Sequence, residues 1–243
     1  IICVVGILLT LLTVKFLISG GFRNSCRYNF FISSKWTSPL WLFPRPASLP
    51  LGKTIVCISD THGRHRQLRY MPPGDILIHA GDYTLFGKYE EAVDFNAWLG
   101  TLNYDTVVLV HGNHDANASW KKDADAILSN ATILNDQSLD LDGFRIHGTQ
   151  FFWPCRWSNP SYELISPRTD VVIAHGPAYG FVDNDCGCRA LRRAVERVKP
   201  RLVVSGHIHS ASGIERIGNT IFVNAAVVSG DRNVTKRPIV VNL

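Results

Sequence analysis

Five short runs of β-branched and aliphatic residues each end on a residue able to hold a metal ion. Thr54–Ser59 runs into Asp60-Thr61-His62, Asp75–Ala80 into Gly81-Asp82, and Thr106–Val110 into Gly112-Asn113-His114-Asp115. Val171–His175 ends on its own histidine, followed by Gly176, and Leu202–Ser205 leads to Gly206-His207-Ile208-His209. Runs of this length and composition are strands. In open α/β sheets the functional residues gather beyond the carboxyl ends of the strands. The pattern therefore predicts a fold that makes neighbours of five segments scattered along the chain.

Helical spacing fills the gaps between the strands. Ala92, Phe95, Leu99 and Leu102 mark a helix over Tyr89–Leu102, Ser119–Ser129 is a second, and Leu191, Val195 and Val198 mark a third over Arg189–Val198, stopped by Pro200. Leu139–Leu141 and Phe144–Gly148, joined at Asp142-Gly143, read as a hairpin. Ile221–Ala225 and Ile239–Val241 close the domain. βα units early and hairpins later fit an α/β fold of two packed sheets flanked by helices.

The chain's 243 residues suffice for one sizeable domain with a buried core, plus an extension. The formal charge of +5 is concentrated at the front: six of the 25 bases and none of the 20 acids precede residue 54, leaving 19 bases against 20 acids. A near-neutral domain has no bulk attraction for a nucleic-acid polymer, which leaves small phosphorylated substrates. The six cysteines are sparse and irregular, so a disulfide framework is not expected. Cys186-Gly187-Cys188 is one residue short of a C-x-x-C pair and reads as packing or a helix start.

Residues 1–18 are almost wholly apolar, close to the roughly 20 residues that cross a bilayer. Residues 1–20 are assigned as a membrane anchor, with a signal segment cut near Ser19-Gly20-Gly21 as the alternative. The basic residues after the span put the following domain on the cytoplasmic side; secretion or a plain cytoplasmic location are the alternatives. Residues 21–52 form a basic linker rich in proline and aromatics, and 53–243 the folded domain. The sequons at Asn117, Asn130 and Asn233 are read as coincidence, since a glycan on Asn117 would crowd His114.

The motifs differ in weight. Asp60-x-His62 can aim a carboxylate and an imidazole at one cation, yet Asp and His are common in surface turns. Asp82 alone is more often a turn or cap residue than a bridging carboxylate. Gly112-Asn113-His114-Asp115 is far more specific, expected by chance on the order of once in a thousand such chains. Asn113 offers an amide carbonyl, His114 stays free to face a phosphate, and Asp115 is expected to hold His114 by a hydrogen bond. Gly206-His207-x-His209 repeats the alternate spacing, and His175 supplies a further nitrogen. His65, His79, His111 and His147 are assigned structural roles, with His65 and His111 the nearest to motifs.

The order D-x-H, G-D, G-N-H-D, H, G-H-x-H resembles the calcineurin-like metallophosphoesterase superfamily over essentially Thr54–Leu243. Ser59–His62, Gly74–Asp82, Phe95–Gly100 and Pro200–Leu202 are similar to the small metallophosphoesterase-domain-containing subgroup. The resemblance implies a four-layer α/β/β/α sandwich of two mixed sheets with a dinuclear site at one edge. It further implies one metal on Asp60, His62, Asp82 and His209, another on Asp82, Asn113, His175 and His207, and His114 with Asp115 as the catalytic pair. Some members of the subgroup carry Gly at the position of His207; here the set is complete. Asp115 stands where animal proteins have Glu, and Gly176 where a hydroxyl residue is commoner.

The expected chemistry is phosphodiester hydrolysis by a hydroxide bridging two metals, with Mn, Fe or Zn suited to mixed nitrogen and oxygen donors. His114 would act as acid or transition-state stabiliser. The subgroup resemblance points to cyclic nucleotides or related small diesters. A phosphomonoesterase, including a protein phosphatase, and a weakly catalytic metal-binding scaffold are the alternatives. The aromatic loop Phe151–Trp157 has two readings, a platform for a base or packing against the Pro-rich arm.

Overall fold

A computed structural model describes residues 52–141 and 143–243. The anchor expected at 1–20 and nearly all of the 21–52 linker lie outside these residues. No helix among the described residues is long and apolar enough to cross a membrane.

The first sheet is built from β1 (Thr54–Ile58), β2 (Ile76–His79), β3 (Thr106–Leu109) and β4 (Thr132–Ile133), all parallel. The second contains β5 (Gln137–Leu141), β6 (Phe144–Gly148), β7 (Val171–Ile173), β8 (Leu202–Ser205), β9 (Gly213–Ile217) and β10 (Thr220–Asn224) in the order β5-β6-β7-β8-β10-β9. Its central strands β6, β7, β8 and β10 are parallel, and both edges are antiparallel. The last strand, β11 (Ile239–Asn242), returns to the first sheet antiparallel to β1. Both sheets are mixed, as expected.

Alternation along each strand divides the core into three layers. Ile55, Cys57, Ile76, Ile78 and Val108 face Ile146, Val171, Ile173, Leu202, Val204 and Val223 between the sheets. Val56, Ile58, Leu77 and Leu109, on the other face of the first sheet, meet Ala92, Phe95, Trp98 and Leu99 of α1 (Tyr89–Leu99) and Ala124 of the short α2 (Ala124–Ile127). The outer face of the second sheet packs Val172, Val203 and Phe222 against Tyr162 of α3 (Pro160–Glu163) and Leu191, Ala194, Val195 and Val198 of α4 (Arg189–Val198). The result is the four-layer sandwich. Each fully buried aliphatic side chain contributes roughly 1.5–3 kcal/mol, so the apolar seam between the sheets holds both strand ends in one place.

Helix limits follow local chemistry. The Glu91 carboxylate accepts the Lys88 N–H at 3.0 Å at the start of α1. α4 ends at Lys199, held left-handed at φ 54°, before Pro200. The helix expected over Ser119–Ser129 is reduced to a 3-10 turn at Lys121–Asp123 plus α2. Strand β9 and helix α3 had no recognisable sequence signature: β9 is an edge strand with Ile214 and Ile217 exposed, and α3 is a single turn capped by Asn159.

The four histidines assigned structural roles make structural bonds. His65 pairs with Asp94 at 3.0 Å, His111 with the Tyr83 hydroxyl at 2.9 Å and His147 with Ser138 at 2.9 Å. Buried His79 accepts the Gly81 N–H on Nδ1 and bonds the Thr61 hydroxyl through Nε2. Burial pushes its imidazole down to about 3. The unfolded chain takes up this proton below about pH 6.5 and the folded chain does not, so stability is lost as pH falls from there towards 3. One such group contributes a slope of about 1.4 kcal/mol per pH unit. His79→Gln should therefore be less stable at pH 7 but show a shallower loss between pH 6 and pH 4, read from denaturant midpoints.

Candidate metal centre

The five motifs meet at the carboxyl ends of β1, β2, β3, β7 and β8. Both sheets contribute, which is why the segments are so far apart in sequence. The loops after β1 and β2 clasp each other through their backbones, Asp60 N–H to Gly81 O and His62 N–H to Asp82 O, both 2.9 Å. Asp60, His62, Asp82 and His207 all take positive φ, between 44° and 65°. Such backbone is sparsely populated for non-glycine residues and clusters at functional sites. The neighbouring glycines are there for space. A Cβ on Gly112 would lie 2.1 Å from Asp82 Oδ1, and one on Gly206 2.1 Å from Asp60 Oδ2.

Two sets of donors converge. In the first, His209 Nε2 lies 3.2 Å from Asp60 Oδ1 and 3.3 Å from His62 Nε2, and His62 Nε2 lies 3.8 Å from Asp82 Oδ2. In the second, His175 Nε2 lies 3.3 Å from Asp82 Oδ2 and 3.2 Å from Asn113 Oδ1, and His207 brings a nitrogen within 4.8 Å of the Asp82 and His175 donors. Ligands about 2.1 Å from one cation at tetrahedral angles lie roughly 3.4 Å apart. The pairs His209–Asp60, His209–His62, His175–Asp82 and His175–Asn113 match that spacing. Asp82 Oδ2 stands between the two sets, reaching the first through His62 and the second through His175, while its Oδ1 accepts the His114 N–H at 2.8 Å.

The chemistry of the donors also fits cations. Asp60 and Asp82 are buried carboxylates in one pocket, an arrangement that costs several kcal/mol per charge without a counter-charge. Burial alone would raise Asp60, but His175, His209 and His62 outweigh it and hold its carboxyl below the usual range. Burial lowers His62 to about 4 and, with the charge of His175, His207 to about 4, so both are neutral and open to a metal. His175 differs. Burial lowers it, yet the carboxylates of Asp82 and Asp60 prevail and push it up to about 9.

Backbone carbonyls aim the imidazoles. His175 Nδ1–H donates to Ala80 O at 2.7 Å, and His114 Nδ1–H to Leu85 O at 2.5 Å, so each turns Nε2 to the centre. His114 Nε2 stands 3.9 Å from Asp82 Oδ2 and its ring packs edge-on to His62. Lys236 Nζ caps the carbonyl of His209. Phe151 lies against the rings of His175 and His207, and Trp153 lies 4.9 Å from His207. Trp153 sits on Gly176, where a Cβ would come within 2.1 Å of the indole. These two aromatics thus brace histidines, while Phe152 and Trp157 stay exposed.

Asp115 departs from expectation. It makes no bond to the His114 ring, which is already held by Leu85. Its carboxylate accepts four donors instead: Asp82 N–H (2.7 Å), Gly112 N–H (3.0 Å), Thr84 N–H (3.0 Å) and the Thr84 hydroxyl (2.6 Å). Burial and the Asp82 charge push Asp115 up to about 7 against the pull of those donors. It acts as a latch between the loops after β2 and β3. Thr84 and Leu85 were missed by the sequence reading, Leu85 because only its carbonyl is used. Asp115→Asn turns an NH₂ towards two of the four donors, and should cost about 2–4 kcal/mol of unfolding free energy. Metal affinity should fall roughly 10–100-fold, as measured by titration of the metal-stripped chain.

Comparisons with known proteins agree with this geometry. Residues 53–211 match the family described as Calcineurin-like phosphoesterase. Human metallophosphoesterase domain-containing protein 1 is 35% identical over 82% of this chain and 74% of its own length. A Caenorhabditis elegans UPF0046 protein is 35% identical over 76% of this chain and 73% of its own. The fold is shared with phosphopantetheinyl hydrolase of Mycobacterium tuberculosis at a TM-score of 0.54 and 14% identity, covering 76% of this chain and 92% of that one. The chain belongs to the calcineurin-like phosphoesterase family of dinuclear-metal-dependent phosphoester hydrolases.

Proposed function

We propose that the chain hydrolyses a small phosphodiester, such as a cyclic nucleotide, at this centre. The observation that carries the reading is the position of Asp82 Oδ2, 3.8 Å from His62, 3.3 Å from His175 and 3.9 Å from His114, between the Asp60–His62–His209 cluster and the His175–His207 pair. Asp60, His62, Asp82 and His209 would hold one cation, and Asp82, Asn113, His175 and His207 the other. When bound, the pair supplies charge neutralisation for phosphate oxygens and an acidified water as nucleophile. The mixed imidazole and oxygen donors suit Mn, Fe or Zn.

His114 has the geometry of an acid. Leu85 O fixes its Nδ1–H, so a second proton on Nε2 points into the centre. As the new P–O bond forms from water and the P–O bond to the leaving alcohol breaks, that Nε2 proton passes to the departing alkoxide.

The full chain should turn over bis(p-nitrophenyl) phosphate in Mn²⁺, faster than p-nitrophenyl phosphate, and lose that turnover in EDTA. His114→Ala should lower kcat about 10²–10⁴-fold while retaining its metal content. His209→Ala should lose activity together with one of the two metal ions. Absence of metal-dependent turnover of either ester, or unchanged turnover in His209→Ala, would overturn the reading; a preference for the monoester would make the chain a phosphomonoesterase.

A further inference from the structure

Beside the centre runs a groove of about 830 Å³ between the segments 66–70 and 234–238. Its walls carry Arg66, Arg69, Lys236 and Arg237, together with Tyr70, and among the described residues no acid lines it. Arg66 is already engaged with Asp94, at 2.7 Å. Arg69 and Arg237 are exposed and make no ion pair or hydrogen bond among the described residues. Lys236 joins the groove to the metal centre, because its ammonium bonds the carbonyl of His209 and feels the charge of Asp60.

The surroundings say what the groove takes. A neighbouring cleft of about 350 Å³ touches His62 and is walled by Glu90, Glu91 and Asp94 against one cation, Arg64, so it is less suited to an anion than the groove. On the Lys236 side an anion meets the guanidinium groups of Arg69 and Arg237, whose planar donors suit phosphate. Residues 1–51 hold five bases and no acid, so the preceding segment brings no counter-charge to the groove. Tyr70, 68% exposed at the same wall, offers a face on which an aromatic base can stack.

We infer that this groove binds a second phosphate group of the substrate hydrolysed at the metal centre, with Tyr70 stacking an aromatic base. The substrate class is thereby narrowed to nucleotide-like phosphoesters carrying a phosphate beyond the scissile one. The inference rests on the phosphoesterase reading for its link to turnover, but the groove can be tested without it.

The test compares adenosine 3′,5′-bisphosphate with adenosine 5′-monophosphate, using the full chain and its Arg69→Ala/Arg237→Ala variant. As competitive inhibitors of bis(p-nitrophenyl) phosphate turnover, the bisphosphate should be favoured about ten-fold by the wild-type chain, equivalent to 1.4 kcal/mol. The double variant should lose that preference while keeping kcat and KM for the simple diester. Calorimetric titration of the metal-stripped chain with the same two nucleotides should give the same contrast, even for a chain with no turnover. Equal affinity for the two nucleotides in the wild type, or a preference that survives in the double variant, would overturn the inference.

Discussion

Everything in this centre depends on how one carboxylate is held. Asp82 has its N–H fixed by Asp115, its Oδ1 occupied by the His114 N–H, and its backbone left-handed at φ 56°. Only Oδ2 remains, and it is the atom towards which His62, His114 and His175 all point. The loops of the first sheet therefore build the frame, and the second sheet delivers His175, His207 and His209 into it. The buried seam between the sheets keeps those two contributions in register, since interiors packed like crystals transmit small displacements.

The electrostatics make metal uptake an exchange of cations. Two buried carboxylates need positive charge nearby, and without metal His175 supplies it, its proton affinity raised by Asp82 and Asp60. A metal ligand must be deprotonated, so filling the proposed second set would displace that proton. The strained backbones at Asp60, His62, Asp82 and His207, a cost of order 1–3 kcal/mol each, are held by the clasp between the first two loops and by the Asp115 latch.

Much of this was legible in the sequence because it lives in side chains at strand ends. Runs such as Thr54–Ser59 and Leu202–Ser205 announced both the strand and the direction in which it leaves the sheet, and Gly112–Asp115 was too specific a string to expect by chance, although its backbone does form a turn. The remainder was hidden for physical reasons. Leu85 and Ala80 orient His114 and His175 with backbone carbonyls, which any residue possesses. Asp115 bonds Thr84, a contact set by tertiary approach and not by spacing. Trp153 braces His207 only because Gly176 leaves room for it. Strand β9 is specified by its partner β10 and by no pattern of its own.

The central claim is that two cation sites share Asp82. Metal content per chain, measured after saturation with Mn²⁺ or Zn²⁺ and removal of excess, tests it most directly. The account predicts two ions in the wild-type chain, one retained in His209→Ala through the second set, and neither held tightly in Asp82→Ala. A wild-type chain that binds a single ion, or an Asp82→Ala chain that still holds two, would contradict it.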